Sequence, residues 1–281
     1  MPTVLITGTS SGFGLATTVE VAKRGWDVFA TMRNLDKRGE LDRAVEAAGV
    51  GARVRISQLD VTNPQSIDNA VALLDLANRP LDAVVHNAGV AVGGAFEDLT
   101  DAQVRHVMDV NYFGVLALTR KLLPSFRARR RGRIVIISSE SAFAGQPANS
   151  PYCASKWAVE GWAESVAYEF EPFGIEIALV EPGAYRTSIW DSSPRVLPET
   201  SAYRPLLRHL EVAVDTYVEK TARDPVEVAK AVAKVLDAPH PRFRTAVGPT
   251  AKFEHFARGK LPSTLMRKIF SRFFQLNKVR W

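Results

Sequence analysis

Tyr152 and Lys156 stand four residues apart in Tyr152-Cys153-Ala154-Ser155-Lys156, a spacing that sets a phenol and an ammonium on one face of a helix. A free tyrosine titrates near pH about 10, too high for ready proton exchange at neutral pH. A neighbouring cation favours the phenolate and lowers that value, which fits Tyr152 for general acid/base work. Ser138-Ser139 closes a strand-like run, and open α/β sheets bind ligands outside the carboxyl ends of their strands. A hydroxyl there could hold a substrate oxygen beside Tyr152.

A second group of residues suits a nucleotide. Thr7-Gly8-Thr9-Ser10-Ser11-Gly12-Phe13-Gly14 follows one strand-like run and leads into a segment with Leu15, Ala16, Val19 and Ala22. Glycines allow a tight turn and close approach of backbone to a pyrophosphate, and the next helix offers unpaired amides and positive potential. The context is a strand, a glycine-rich turn and a helix, as dinucleotide binding requires. After the second strand, an Asp or Glu would bind a ribose hydroxyl, but the chain has Arg33, with no acid before Asp36. The forked guanidinium suits a 2′-phosphate. NADP(H) is therefore the expected cofactor, with Ser11 as a second phosphate contact.

Strand-like runs at 3–7, 27–31, 54–58, 83–86, 133–138, 176–180 and 244–247 alternate with helix-length segments at 13–24, 38–48, 64–77, 100–129, 151–172 and 224–238. This alternation predicts an α/β fold with a doubly wound parallel sheet. Ile134-Val135-Ile136-Ile137 is apolar on both faces, as a central parallel strand must be. Thr62-Asn63-Pro64 and Asp224-Pro225 read as helix starts. Residues 1–250 form the expected dinucleotide-binding and catalytic domain, with an insertion at about 186–222 and an extension over 251–281.

Together these motifs resemble the short-chain dehydrogenase/reductase family from residue 3 to about 187. The resemblance implies a Rossmann fold, the cofactor turn at Thr7–Gly14, an adenine-side pair at Asp60-Val61, and a structural motif at Asn87-Ala88-Gly89. It places a catalytic tetrad on Asn111, Ser139, Tyr152 and Lys156. The interval of 13 from Ser139 to Tyr152 selects Ser139 over Ser138 and Ser141. In the tetrad, Tyr152 would exchange the proton and Ser139 would orient the carbonyl. Lys156 would lower the Tyr152 pKa and bind the nicotinamide ribose, and Asn111 would hold a relay water. Pro182-Gly183 and Thr187 match the stretch beside the nicotinamide. His86 stands where the family usually has Asn. Ala30–Arg33 and Tyr152–Phe173 are similar to the NADP-preferring hydroxysteroid and retinol dehydrogenase branch. The family further implies a homodimer or homotetramer and a mobile lid at 186–222. Phe143, Gly145, Tyr185 and Trp190 are the candidate pocket wall for an apolar alcohol or ketone.

The 281 residues, 46% hydrophobic and 23% charged, suit one large domain with a sizeable core and do not suit disorder. A single Cys excludes a disulfide scaffold, and the five His residues lack metal spacing, so no metal is expected. No run approaches a membrane span and the N-terminus does not read as a signal peptide, so a cytoplasmic location is expected. The formal charge of +6 is uneven. Residues 239–281 carry ten Lys/Arg and one acid, Glu254, leaving 26 bases against 29 acids elsewhere. No recognition module accompanies the charge, so nucleic acid is not an expected partner. Leu265, Met266, Ile269, Phe270, Phe273 and Phe274 make one broad apolar helical face. That face would pack over the substrate site or another subunit, or dock peripherally on an anionic membrane. The expected activity is an NADP(H)-dependent oxidoreductase interconverting an apolar secondary alcohol and its ketone. The alternative is a non-catalytic NADP(H) sensor or a membrane-peripheral interaction protein on the same fold. The intact proton-transfer set counts against the alternative.

Overall fold

The strand-like runs become seven strands: β1 (Thr3–Thr7), β2 (Asp27–Met32), β3 (Val54–Gln58), β4 (Ala83–His86), β5 (Gly132–Ile137), β6 (Ile175–Pro182) and β7 (Arg244–Val247). The structure is a computed structural model and describes residues 1–76, 80–257 and 260–280, apart from the side chains of 75, 76, 190, 191 and 263. Every pairing is parallel, in the order β3-β2-β1-β4-β5-β6-β7. The order reverses direction between β1 and β4, so the two strand ends diverge there and open a crevice.

The helices are α1 (Gly12–Lys23), α2 (Gly39–Ala47), α3 (Pro64–Leu76), α4 (Asp101–Met108), α5 (Gly114–Ala128), α6 (Ser150–Phe170), α7 (Ile189–Ser192), α8 (Arg204–Thr221), α9 (Val226–Asp237), α10 (Pro249–Ala257) and α11 (Ser263–Phe273). Strand side chains alternate between faces, which makes two cores. Val4, Ile6, Val85 and Val135 pack with α1, α2 and α9, while Leu5, Val84, Ile134 and Ile136 pack with α3, α5 and α6. At the expected helix starts Asn63 Oδ1 accepts from Ser66 N at 3.1 Å, and Asp224 Oδ1, one residue ahead of the Pro225 cap of α9, accepts from Val226 N at 2.9 Å.

Two segments differ from expectation. The single helix expected over 100–129 is interrupted by a π turn at Asp109–Phe113; such turns redirect side chains and are frequent at functional sites. The insertion at 186–222 is largely helical, because Leu207, Leu210, Val214 and Tyr217 repeat at a helical interval along the 18-residue α8. It is stapled to the loop after β4, where Gly93 N donates to the Pro194 carbonyl (2.9 Å) and Val196 N to the Gly93 carbonyl (2.7 Å). His86 is buried against α5, its Nε2 lying 2.9 Å from Thr119 Oγ1, and burial lowers its pKa to about 3, so the ring stays neutral.

An ionic cluster fixes α6 to the sheet. Arg244 of β7 meets Glu160 and Glu164 of α6 and Glu181 of β6, each at 2.5 Å. Glu160 also accepts from Ser138 Oγ at 2.5 Å. Removing one partner of a buried pair leaves an uncompensated charge. Arg244→Met is therefore expected to destabilise the fold by about 3 kcal/mol, read as a lower urea midpoint. An unchanged midpoint would refute the assignment.

Candidate active site

Between β1 and α1 the backbone turns through left-handed conformations, φ +70° at Gly8 and +55° at Gly12, which glycine adopts without strain. A β-carbon on Gly8 would stand 2.8 Å from Ala88 Cα, and one on Gly14 would enter the Gly8 carbonyl and the Asn87 amide. The turn is tied to β4 from the other side. Asn87 Nδ2 donates to the Thr7 and Gly8 carbonyls, both at 2.8 Å, while Asn87 N and Ala88 N donate to Thr7 Oγ1, both at 3.0 Å. Ser11 heads α1 without a side-chain cap, so the first helical amides are left for a ligand. Its hydroxyl lies 2.6 Å from Ser188 Oγ across the cleft mouth.

A cavity of about 1220 Å³ runs from this turn to α11. Gly8, Ser10–Phe13, Arg33, Asp60, Val61, Asn87–Gly89, Pro182, Gly183 and Thr187 line it. Arg33 is exposed and has no carboxylate partner among the described residues. Asp60 Oδ1 is engaged locally, accepting from Thr62 N (2.9 Å) and Oγ1 (2.7 Å). Gly14 does not line the cavity; it sits behind the turn, where its missing side chain allows α1 to close on β4.

Ser139, Tyr152 and Lys156 line the next stretch of the same cavity. Ser139 follows β5, and its Oγ accepts from Ser141 N at 3.1 Å, which fixes the rotamer. Tyr152 and Lys156 share a face of α6, with the ammonium 5.5 Å from the ring centroid. Lys156 Nζ donates to the Ile137 carbonyl at 2.9 Å. Burial dominates both groups. It pushes the Tyr152 phenol up to about 12, with the Ser139 hydroxyl pulling part of the way back. It lowers Lys156 to about 8, against the attraction of Glu160. The expected lowering of Tyr152 by Lys156 is thus outweighed by desolvation, which favours the neutral phenol.

Asn111 lies in the π turn, behind the cavity wall. Its Oδ1 accepts from Val90 N (2.9 Å), and its Nδ2 donates to the Val90 carbonyl (2.8 Å) and to Ser155 Oγ (2.9 Å). It is buried and ties the loop after β4 to α6 at Ser155.

The expected substrate wall needs correction. Tyr185 lines the cavity, its hydroxyl held 3.1 Å from Glu227 Oε2 and its ring edge-on to Phe13. Phe143 does not line it; the ring is buried edge-on against His255. Gly145 is exposed with nothing near its Cα face. The Trp190 side chain lies outside the described residues. The apolar wall comes instead from Leu207, Leu210 and Val214 of α8, and Ile269, Phe270 and Phe273 of α11, with Phe274 just beyond. Of the placements expected for the apolar face of α11, the structure holds the one over the cavity. Phe273 meets Tyr217 edge-on at 5.1 Å, and His209 Nε2 lies 2.8 Å from the Phe274 carbonyl, so the apolar face closes the cavity. The cavity also holds Glu140, Tyr217, Thr250 and Glu254, for which sequence had no signal. Among the described residues no group of three or more His, Cys, Asp or Glu is placed to hold a metal ion, and no helix is long and apolar enough to cross a membrane.

A parallel sheet with a glycine turn at its switch point defines a dinucleotide-binding α/β protein. Residues 2–196 match the family model for short chain dehydrogenases. The chain belongs to the short-chain dehydrogenase/reductase family. It is 34% identical to a 3-ketodihydrosphingosine reductase of Bacteroides thetaiotaomicron over 97% of this chain and 98% of the relative. It is 34% identical to human 17-beta-hydroxysteroid dehydrogenase type 1 over 86% of this chain and 76% of the relative. Retinol dehydrogenases are also among its relatives, so the expected hydroxysteroid and retinol branch is borne out. A short-chain dehydrogenase from Streptomyces avermitilis superposes with a TM-score of 0.79 at 30% identity, covering 99% of this chain and 97% of that one.

Gly14→Ala is expected to abolish cofactor binding, because the added methyl meets backbone that cannot yield. Titration of protein fluorescence with NADPH checks this; wild-type affinity would refute the packing argument.

Proposed function

We propose that the protein is an NADP(H)-dependent oxidoreductase interconverting an apolar secondary alcohol and its ketone. The observation that carries the reading is the placement of Ser139, Tyr152 and Lys156 on one cavity with the Gly8–Phe13 turn. The glycine cradle and the open first turn of α1 fit a pyrophosphate. Arg33, exposed and without a carboxylate partner among the described residues, suits the 2′-phosphate. Asp60 and Val61 would stand on the adenine side, Asn87–Gly89 would line the cleft between, and Pro182, Gly183 and Thr187 would lie beside the nicotinamide. Bound cofactor supplies or accepts the hydride.

The chain's own residues manage the proton. Burial keeps Tyr152 protonated across the neutral range, so it donates to the carbonyl oxygen during reduction and takes the proton back during oxidation. Ser139 Oγ holds the same oxygen. Lys156, cationic below about 8, stabilises the phenolate that Tyr152 leaves behind. Asn111 acts from behind the wall by fixing α6. The apolar faces of α8 and α11 exclude water from the reaction and receive a lipophilic substrate. The same docking of α11 supports the tail as a cavity wall rather than a membrane anchor.

Tyr152→Phe is expected to abolish turnover while NADPH still binds; near wild-type activity would sink the mechanism. Arg33→Ala is expected to raise KM for NADPH about tenfold or more and leave KM for NADH little changed, since one charge-assisted contact is worth about 1.5–3 kcal/mol. Equal effects on both cofactors would refute the role of Arg33. Lys156 has its pKa lowered, so its charge is present below about 8 and is lost as pH rises through that value. Ketone reduction should therefore fall above about pH 8, and Lys156→Arg should move the fall upward. An unmoved profile would remove Lys156 from the proton chemistry.

A further inference from the structure

Past Ser139 the cavity contains two carboxyl groups that the proton chemistry does not use. Glu140 follows Ser139 directly, and Glu254 comes from α10; both line the cavity, and each is only 9% exposed. Oε2 of each is buried without a hydrogen-bond partner among the described residues. Around them stand Thr250, whose hydroxyl lies against Glu140, and Tyr217 of α8. A β-carbon on Gly183 would lie 2.9 Å from Glu140 Oε2, so this carboxyl borders the nicotinamide side of the proposed ketone site. Nearby cations are engaged elsewhere. Arg244 holds Glu160, Glu164 and Glu181, His255 Nδ1 lies 3.4 Å from Glu181, and Lys156 donates to the Ile137 carbonyl.

Carboxyls buried without a cation resist ionisation, and the charge of Glu140 further disfavours that of Glu254. Glu140 is accordingly pushed up to about 7 and Glu254 to about 9, both chiefly by burial. Such a pair holds a proton that a bound cation would replace. An ammonium donates in several directions at once and gives charge-assisted contacts to carboxylates. An uncharged hydrocarbon cannot satisfy either oxygen.

We propose that Glu140 and Glu254 form a subsite for a protonated amine carried by the substrate close to its carbonyl, the apolar remainder lying along α8 and α11. The substrate class is then an amphiphilic amino ketone or its amino alcohol. This rests on the ketone-reductase reading above and narrows it. The amine enters as its ammonium, the two oxygens accept its hydrogens, and the proton held by the pair leaves to solvent.

The test compares a straight-chain 2-amino-3-ketone with the 3-ketone of equal length lacking the amine, following NADPH oxidation by the full chain. Wild type is expected to prefer the amino ketone about tenfold in kcat/KM, the size of one contact to a charged group. In Glu140→Gln and Glu254→Gln the ratio should collapse toward one, through KM for the amino ketone. A wild-type enzyme without preference, variants that keep it, or variants that lose both substrates by the same factor would each overturn the subsite. A fall in NADPH affinity of Glu140→Gln would assign that carboxyl to the cofactor and overturn it as well. Turnover of neither ketone by wild type would count against the ketone-reductase reading itself.

A second measurement needs neither a variant nor turnover. The matching 2-amino alcohol and plain alcohol are titrated calorimetrically into wild type with NADP+ at about pH 8, between the two carboxyl values, in buffers of different ionisation enthalpy. The amine should release about one proton more than the plain alcohol. Of the other titratable groups in reach, Tyr152, Cys153 and Tyr217 are raised by burial and stay protonated there, while Lys156, at about 8, responds in both titrations and cancels in their difference. Absence of that extra proton, or no amine binding, overturns the proposal.

Discussion

The bond between the end of β1 and the end of β4 is the constraint on which the site depends. Where sheet order reverses, two neighbouring strands leave in opposite directions and their last carbonyls lose strand partners. Asn87 supplies the missing donors to Thr7 and Gly8, and Thr7 returns its hydroxyl to two amides of the β4 loop. The cross-tie holds the glycine turn open toward the crevice. It also sets the height of the β4 loop, whose Val90 is gripped by Asn111. Through Ser155 that grip reaches α6 and the Tyr152–Lys156 face. The glycine turn and the Tyr152–Lys156 face of α6 are thus linked through the β4 loop.

Burial then acts in opposite directions on the two titrating groups of α6. It disfavours phenolate at Tyr152 and ammonium at Lys156, driving apart proton affinities that are nearly equal in water. Nearness of a cation is insufficient to acidify a phenol when both are desolvated. What spacing along the helix predicted as a simple charge effect is a balance between charge and loss of water, and only the packed environment sets it.

The net charge of +6 also has local meaning. The basic residues of the last 43 positions do not act alike. Arg244 is drawn inward to neutralise three glutamates, while Arg267, Lys268 and Arg272 stay on the solvent side of α11. The apolar side of that helix is used for the cavity. The one acid of this stretch, Glu254, is buried in the cavity wall beside Glu140, where charge is least easily tolerated. The pocket wall past Ser139 is therefore polar, whereas Leu207, Leu210 and Val214 of α8 and Ile269, Phe270 and Phe273 of α11 make an apolar stretch.

Much of the protein was legible because it is written in short-range patterns. The seven strands were visible as short β-branched or aliphatic runs, most plainly β5, which lies at the centre of the sheet and is covered on both faces. The glycine turn was visible because only glycine tolerates its backbone, and Tyr152 with Lys156 because one helical turn brings them together. Other features depend on contacts between distant segments and left no local mark. These include the π turn that aims Asn111 and the docking of α11 on α8. They also include the displacement of Phe143 and Gly145 from the wall and the convergence of Glu140 with Glu254. Spacing along one element is fixed by backbone geometry, so sequence determines it; which surfaces meet, and how much water remains between them, is decided only when the whole chain packs.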